Sequence, residues 1–594
     1  MAQADYDALI ASKSEGDDFL QKENVSKALA TYDKLLKAIG AAKFAPTGAA
    51  YVDVVLDVIK VHGNISLCLL KQGDWVNCVQ QLTFICALLE RLPVQRNDLL
   101  TDKYLLRRAT AWYELRMPSR ALSDVYSVRR PSEQSKELAK KCEDAFDARM
   151  TTHARAPPMT RSFQMLTGGG GTGGGDADWK TEAVIGKKVF TLNAHALTVR
   201  LVGDDGKAVD VELYEKPKTV AWPPADDGDV LVPYLAEGSV ALVMLTTRYI
   251  AVWAWMREEQ KWEALKDNTG PFETPMARTS ATVVVNGHSV YVWGGMLHSG
   301  KCSNQLHRFS FKTRRWTRLL VESTATLDSP LPRMHAFGFI DNGTLIVGHG
   351  HVGRKFAPVV EGNSFDIGVP FSDVWATELP ADDLWPEQQS KGIDAMPVEA
   401  VGWSQDGSDE YHDAQDKIDT DETGCHTPKM RRFARYHRSF KSITGVTKFS
   451  ISWRCVTYGE VLPDEASARY KSAFIVLPGK QKAAGLIVSG LTENNERWRL
   501  TGKPQSRAVP PPIKHADMFE VTAIGMRRIK LPLPNIDLGK AILEKSHAIE
   551  TQPNRFRCHL RTETGVSHYF WVTTCDDAQW KKHMEERALP CHIK

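Results

Sequence analysis

The sequence predicts a multidomain protein in which an all-α helical repeat is followed by an all-β repeat. Three observations predict this fold class. A register of small and bulky residues recurs three times within the first 150 residues. A run of glycines follows it. Beyond the glycines, short strand patterns with paired glycines and a later tryptophan recur at a spacing of roughly 50 residues. A chain of 594 residues is long enough for several domains.

The composition indicates an ordinary globular protein, with 42% hydrophobic and 25% charged residues. The formal net charge of +3 argues against a dedicated nucleic-acid binder. The N-terminal segment is acidic, and no stretch approaches the roughly 18 apolar residues of a membrane span. The ten cysteines are too sparse for a disulfide scaffold. We therefore expect a protein of the cytoplasm, with the nucleus as the alternative, and no nucleic-acid or membrane partner.

The helical register is a spacing of small residues. In each copy a small residue is followed by another twelve positions later: Gly16 and Ala28, Ser66 and Cys78, Ala109 and Ala121. Bulky apolar residues stand at fixed offsets from them: Phe19, Tyr32 and Leu35; Leu69, Leu82 and Ile85; Trp112, Val125 and Val128. Two helices approach closely only where their side chains are small. We predict paired helices over residues 1–150, capped by a further helix from Glu133 to Phe146.

These segments resemble the tetratricopeptide repeat family over roughly residues 5–150. The segments from Lys103 to Trp112 and from Arg120 to Asp124 look typical of that family. An insertion at about residues 40–55 departs from its regular period of roughly 34 residues.

Chaperone-binding members of this family hold the acidic C-terminal peptide of Hsp90 or Hsp70 in a two-carboxylate clamp. The resemblance places the clamp positions on Lys13, Asp17, Asn64, Lys103 and Arg107. All but Asp17 have the expected residue type. The family has asparagine at that place, and a carboxylate would repel the ligand unless it is protonated or paired with Lys13. The alternative is that Lys13, Lys103 and Arg107 are merely solvated helix faces.

A linker is predicted over residues 151–176, because Gly168–Gly175 holds seven glycines and one threonine. A phosphate-binding loop would need a Lys-Ser/Thr pair after the glycines, and none follows. We expect a flexible tether that leaves the geometry of the flanking domains unfixed. The second domain then spans residues 177–594.

The clearest β unit runs from Arg278 to Leu319. It has two apolar strands joined by a tight turn, the pair Gly294-Gly295, a loop, an alternating strand and a strand with Trp316. One four-stranded propeller blade has this order. Further copies begin at Arg333 and Arg469, and a weaker one at Tyr249 precedes them.

These units resemble kelch repeats, which implies a β-propeller. Residues 177–225, 430–465 and 540–594 could supply further strands, so we expect five to seven blades and favour six. The segments near 380–430 and 491–514 are predicted surface loops, where propellers place binding residues.

A propeller enzyme must also be considered, since the kelch fold includes a copper oxidase of the galactose-oxidase type. His349 and His351 have ligand-like spacing but replace the glycine pair of a unit, which favours a structural role. Cys425-His426 has no matching second pair for zinc. Six tryptophans could stack ligands, although their kelch positions favour blade packing: Trp253, Trp255, Trp262, Trp293, Trp316 and Trp375. We predict no catalytic residue, metal or cofactor.

The function expected from the sequence is a scaffold or adaptor. The helical groove would bind a peptide, and the propeller loops would bind a second protein. Two alternatives remain open. One is a propeller enzyme of the oxidase type, and the other is a substrate receptor of a ubiquitin ligase, although no BTB or F-box segment is recognisable.

Overall fold

The computed structural model describes most of the first 380 residues and parts of the remainder. The described residues are 3–41, 49–89, 98–115, 117–153, 160–165, 181–204, 207–217, 221–224, 228–234, 239–267, 275–321, 329–356, 365–380, 450–457, 473–477, 484–488, 518–522, 525–529, 543–552, 555–562 and 567–574. The glycine run, the two predicted loop segments near 380–430 and 491–514, and Cys425-His426 lie outside them.

The chain begins with helices. In the described residues there are seven: α1 (Gln3–Gln21), α2 (Val25–Ala41), α3 (Ala49–Gln72), α4 (Trp75–Leu89), α5 (Asp98–Glu114), α6 (Pro118–Tyr126) and α7 (Glu133–His153). Consecutive helices pack against one another, and α1 also contacts α3. Helix α6 begins with Pro118, whose missing N–H is tolerated in a first turn. The second half of the predicted 40–55 insertion is helical, because α3 begins at Ala49.

The small residues of the register lie where helices meet, as predicted. Five of them are fully buried: Ala28, Ser66, Cys78, Ala109 and Ala121. A Cβ atom on Gly16 would lie 2.5 Å from Cε1 of Tyr32, and one on Gly63 would lie 2.4 Å from Oη of Tyr104. Because real Cβ contacts are not that short, only glycine permits these approaches.

The rest of the described chain is β structure. Its first strands are β1 (Thr160–Met165), β2 (Thr181–Ile185), β3 (Lys188–Leu192), β4 (Ala196–Val202), β5 (Ala208–Glu215), β6 (Val230–Pro233), β7 (Val240–Leu245), β8 (Ile250–Met256), β9 (Lys261–Ala264), β10 (Arg278–Thr279), β11 (Thr282–Asn286), β12 (Ser289–Trp293), β13 (Met296–Leu297), β14 (Leu306–Ser310) and β15 (Arg315–Val321). They are followed by β16 (Phe337–Asp341), β17 (Thr344–Gly348), β18 (His351–Phe356), β19 (Phe365–Pro370), β20 (Val374–Glu378), β21 (Ser450–Ile451), β22 (Arg454–Thr457), β23 (Ala473–Leu477), β24 (Ala484–Val488), β25 (Met518–Thr522), β26 (Gly525–Ile529), β27 (Leu543–Gln552), β28 (Arg555–Thr562) and β29 (Ser567–Thr574).

These strands form a β-propeller. Six sheets have four or five strands, in the orders β2-β3-β4-β5, β6-β7-β8-β9, β11-β12-β14-β15-β21, β16-β17-β20-β22, β23-β24-β25-β26 and β1-β29-β28-β27. The sheets contact one another through their edge strands. Strand β27 contacts β2, β2 contacts β6, β6 contacts β11, and β11 contacts β16. Strand β23 contacts β27. Phe337 of β16 stacks on Phe474 of β23, with ring centroids 4.4 Å apart. The contacts therefore connect these sheets in a ring, as the blades of a propeller are connected.

Strand β1 requires a correction to the predicted linker at residues 151–176. It lies inside that range and pairs antiparallel with β29, so that Phe163 faces Val572 and Gln164 faces Trp571. The first strand after the helices thus completes the last sheet. The sequence did not predict this strand because its partner is about 400 residues away and the flanking prolines and glycines dominate the local pattern.

The helical region also packs against the propeller. Helix α4 contacts β19 of the two-stranded hairpin β18–β19. Val369 and Phe371, each 1% exposed, belong to the same buried cluster as the helix residues. The side-chain amide Nε2 of Gln80 donates a hydrogen bond of 3.2 Å to the carbonyl of Val352. This contact corrects the expectation that the linker leaves the geometry of the two flanking domains unfixed, because the helical region also packs against the propeller. No helix in the described part is long and apolar enough to cross a membrane.

Candidate peptide-binding site

The predicted clamp residues lie on α1, α3 and α5, whose shared surface we call the odd-helix face. On α1, Asp17 accepts hydrogen bonds from three groups. Lys13 Nζ lies 2.5 Å from its Oδ2, and Tyr32 Oη and Asn64 Nδ2 lie 2.5 and 2.7 Å from its Oδ1. The Lys13 and Asp17 side chains are 20% and 32% exposed. The sequence left two arrangements open for Asp17, and in the structure it pairs with Lys13.

Tyr32 is the member of this network that sequence reasoning missed. It was identified only as a bulky core residue, and its ring does pack against Gly16. Its hydroxyl, however, reaches Asp17. Burial and this hydrogen bond raise the pKa of Tyr32, so the phenol remains a donor at neutral pH. A tyrosine among apolar residues was the available signal, because a buried hydroxyl usually finds a partner.

The cations of the third repeat lie on α5. Arg107 Nη1 donates to the carbonyl of Gly63 at 2.5 Å and to Oγ of Ser66 at 3.0 Å, which fixes α5 against α3. Lys103 Nζ lies 5.8 Å from the ring centroid of Tyr104, and the Arg107 guanidinium carbon lies 5.9 Å from it. Although Lys103 is exposed, partial desolvation of its ammonium group, and then the charge of Arg107, lowers its pKa. Burial also lowers the pKa of Arg107.

The structure therefore brings the predicted residues together in two groups. The first is a hydrogen-bonded group of Lys13, Asp17 and Asn64, which Tyr32 of α2 joins. The second consists of Lys103 and Arg107 on α5. In the described part of the chain, no carboxylate lies within ion-pair distance of Lys103 or Arg107. The first group is internally neutralised, while the second keeps its positive charge.

In the propeller, two arginines hold equivalent places in neighbouring blades, and both are fully buried. Arg278 donates to the carbonyls of Met276 and Gly294 at 3.0 and 3.2 Å. Arg333 donates to the carbonyls of Leu331 and His349 at 2.9 and 3.1 Å. Sequence reasoning gave these arginines no role, although each stands at the start of its repeat. Both guanidinium groups therefore have a structural role, because they donate hydrogen bonds to backbone carbonyls that would otherwise be buried without a donor.

Arg333 also pairs with a carboxylate, that of Asp373. Its Nη2 lies 2.8 Å from Asp373 Oδ2, and its Nη1 bonds Oδ1. Trp375 Nε1 donates to the same carboxylate at 2.6 Å. Burial alone would raise the pKa of Asp373, but the charge and hydrogen bonds of Arg333 outweigh it and lower that pKa. The Arg333 guanidinium also stacks 4.1 Å from the ring of Phe371.

The two histidines with ligand-like spacing pack against aromatic rings of the propeller. His349 and His351 are 1% and 6% exposed. The ring of His349 meets the edge of Phe337, and that of His351 stacks on His335 at 5.3 Å. Where the structure describes the chain, no group of three or more His, Cys, Asp or Glu residues is placed to hold a metal.

The tryptophans pack inside or between blades. Five are at most 4% exposed: Trp255, Trp262, Trp293, Trp316 and Trp375. Trp255 and Trp262 lie with ring centroids 5.6 Å apart, and Trp293 lies 6.0 Å from Trp453. Their rings serve the core, as their positions in the repeat predicted.

Comparison with known proteins supports the propeller. The family model for the Kelch motif matches residues 277–319, which is one blade. No curated protein is similar enough to be counted as a relative. The solved structure of YjhT aligns at 9% identity and a TM-score of 0.36, covering 68% of this chain and 98% of that one. The Kelch match does not extend to the helical region, whose likeness to tetratricopeptide repeats remains part of our proposal.

Proposed function

We propose that this protein is a protein-binding adaptor with two recognition surfaces, one on the helical region and one on the propeller. A Kelch-type propeller presents loops from several blades on a rigid ring, and such scaffolds suit protein binding. The helical region supplies a second surface that is polar and half-exposed. Fold alone does not define function, so the proposal depends on the chemistry of the odd-helix face.

The observation that carries the proposal is the uncompensated charge of Lys103 and Arg107. Helices α3 and α5 are joined by the hydrogen bond from Arg107 to the Gly63 carbonyl, so the surface that they share is rigid. A rigid cationic surface favours acidic ligands. An acidic peptide segment would supply the missing carboxylates. The tetratricopeptide resemblance makes the C-terminal tails of Hsp90 and Hsp70 the first ligands to test.

The experiment uses the full-length chain and fluorescent peptides with the Hsp90 and Hsp70 tail sequences. We expect wild-type binding with a Kd on the order of micromolar. Lys103→Ala should weaken binding about tenfold, because a charge-assisted hydrogen bond contributes about 1.5–3 kcal/mol. Lys34→Ala is the matched control, since Lys34 is an exposed lysine on α2. Equal affinities for all three proteins would refute a role for Lys103, and absence of wild-type binding would refute the acidic-peptide proposal.

We place this adaptor in the cytoplasm or nucleus. The structure describes seven cysteines, none of them in a disulfide, and six of the seven are buried: Cys68, Cys78, Cys86, Cys142, Cys302 and Cys558. Buried free thiols suit a reducing compartment. Subcellular fractionation of a tagged full-length protein tests this placement, and recovery from the secretory pathway would contradict it.

A further inference from the structure

The two groups on the odd-helix face differ in what they offer a ligand. In the first group, Lys13, Tyr32 and Asn64 all donate to one acceptor, the carboxylate of Asp17. That carboxylate belongs to the protein itself. The donors that would otherwise receive a ligand's carboxylate are therefore already engaged, at distances of 2.5–2.7 Å.

A second carboxylate cannot enter this group cheaply. It would stand next to the Asp17 carboxylate, and two like charges a few ångströms apart at a protein surface repel each other. A ligand that displaced Asp17 would also break its three hydrogen bonds. Oδ1 accepts two of them, from Tyr32 and Asn64, and Oδ2 accepts the third, from Lys13. The first group thus disfavours an anion at this place, which is a form of specificity by exclusion.

The second group has the opposite character. Lys103 is exposed, and neither it nor Arg107 has a carboxylate within ion-pair distance in the described residues. The two cations lie four residues apart on α5 and share the face of Tyr104. Their mutual repulsion would be relieved by an acidic side chain placed beside Lys103. Arg107 is already bonded to the α3 backbone, so it contributes its charge from a fixed position.

We propose that the odd-helix face binds acidic side chains from within a peptide chain and does not require a free C-terminal carboxylate. Asp17 stands in for the terminal carboxylate in the first group, and the ligand's aspartate or glutamate contacts Lys103 in the second. This inference rests on the proposed function, because it specifies which acidic peptides that face takes. Internal acidic segments of folded or extended partners are then ligands as good as acidic chain ends.

The test compares two synthetic peptides of one acidic sequence, one ending in a free carboxylate and one ending in an amide. Both are titrated into the full-length wild-type protein and into the Asp17→Asn variant, whose asparagine is nearly isosteric. Wild-type affinities should agree within about twofold. The variant should bind the free acid about tenfold more tightly than the amide, since a hydrogen bond to a charged group is stronger than one to a neutral group.

The outcomes separate the two proposals. Wild-type affinity that falls tenfold or more on amidation would overturn this inference and leave the acidic-peptide function standing. Failure of both peptides to bind the wild-type protein would refute that function and this inference with it. The wild-type comparison needs no variant, so it decides the matter even if Asp17→Asn unfolds. A thermal melt shows whether that variant is folded.

Discussion

The helical region has two faces with different chemistry. The side that includes α4 meets the propeller through apolar residues, since Val369 and Phe371 are buried in the helical core. The odd-helix face carries charged and polar side chains instead. Among the described residues, no hydrogen bond or ion pair joins Lys13, Asp17, Asn64, Lys103 or Arg107 to the propeller.

The difference indicates how the two domains share their surfaces. An apolar contact suits a permanent internal interface, because burial of apolar area stabilises it without a partner. A charged, half-exposed face suits exchangeable ligands. The propeller hairpin therefore fixes the helical region from one side, and the proposed ligand would bind on the other.

The largest expected effect comes from Phe371→Ala. This residue joins the helical core to Arg333 of the propeller, so its removal leaves a cavity at the interface. We expect a loss of about 3–5 kcal/mol in the free energy of unfolding. Chemical denaturation followed by tryptophan fluorescence measures it. Tyr249→Ala, at a side chain that is 46% exposed, is the control and should be nearly neutral. A neutral Phe371→Ala would show that the apolar contact does not hold the domains together.

Asp373→Asn should cost slightly less, about 3 kcal/mol, because it removes the charge that compensates the buried Arg333. The effect should depend on pH. The folded-state pKa of Asp373 is lowered, so its contribution is fully present above the unfolded pKa of about 3.9 and is lost as the pH falls through the folded value. Denaturation midpoints of the two proteins should therefore converge in acid. A constant difference from neutral pH down to acid would contradict this assignment.

Gly63→Ala should destabilise the odd-helix face by about 1–3 kcal/mol, the usual cost of overpacking. The new methyl would lie 2.4 Å from Tyr104 Oη, and α3 would be pushed away from Arg107. Gly228→Ala is the matched control, since its Cβ would meet nothing closer than 3.7 Å. Thermal melts of both variants test the prediction. Equal melting temperatures would mean that α3 and α5 have room to separate.

The smallest effect should come from Gln80→Ala. The change removes the hydrogen bond from Nε2 to the Val352 carbonyl, which should cost about 1 kcal/mol. A double-mutant cycle with Phe371→Ala shows whether both residues belong to one interface. Coupling between them is expected, and strictly additive losses would place them in independent contacts.

The sequence predicted the parts of this structure that depend on local pattern. The spacing from Gly16 to Ala28 predicted close helix packing, and the unit from Arg278 to Leu319 predicted a four-stranded blade. Periodicity encodes such elements directly. The pairing of β1 with β29 and the docking of α4 on β19 join residues far apart in the chain, so no local pattern could predict them.

The helices that carry the candidate residues were predictable from the sequence, but the contacts of their side chains were only partly so. The residue types at Lys13, Asn64, Lys103 and Arg107 came from register and resemblance, and the structure places them on three neighbouring helices. The role of Tyr32 depends on the approach of α2 to α1 at Gly16, which sets where its hydroxyl lies. That distance follows from packing and not from spacing along the chain.

The most direct test of the two-face account is hydrogen–deuterium exchange of the full-length protein with and without a saturating acidic peptide. The account predicts slower exchange in α1, α3 and α5 and unchanged exchange in α4 and β19. Protection concentrated in α4 and β19, with none in α1, α3 and α5, would contradict it.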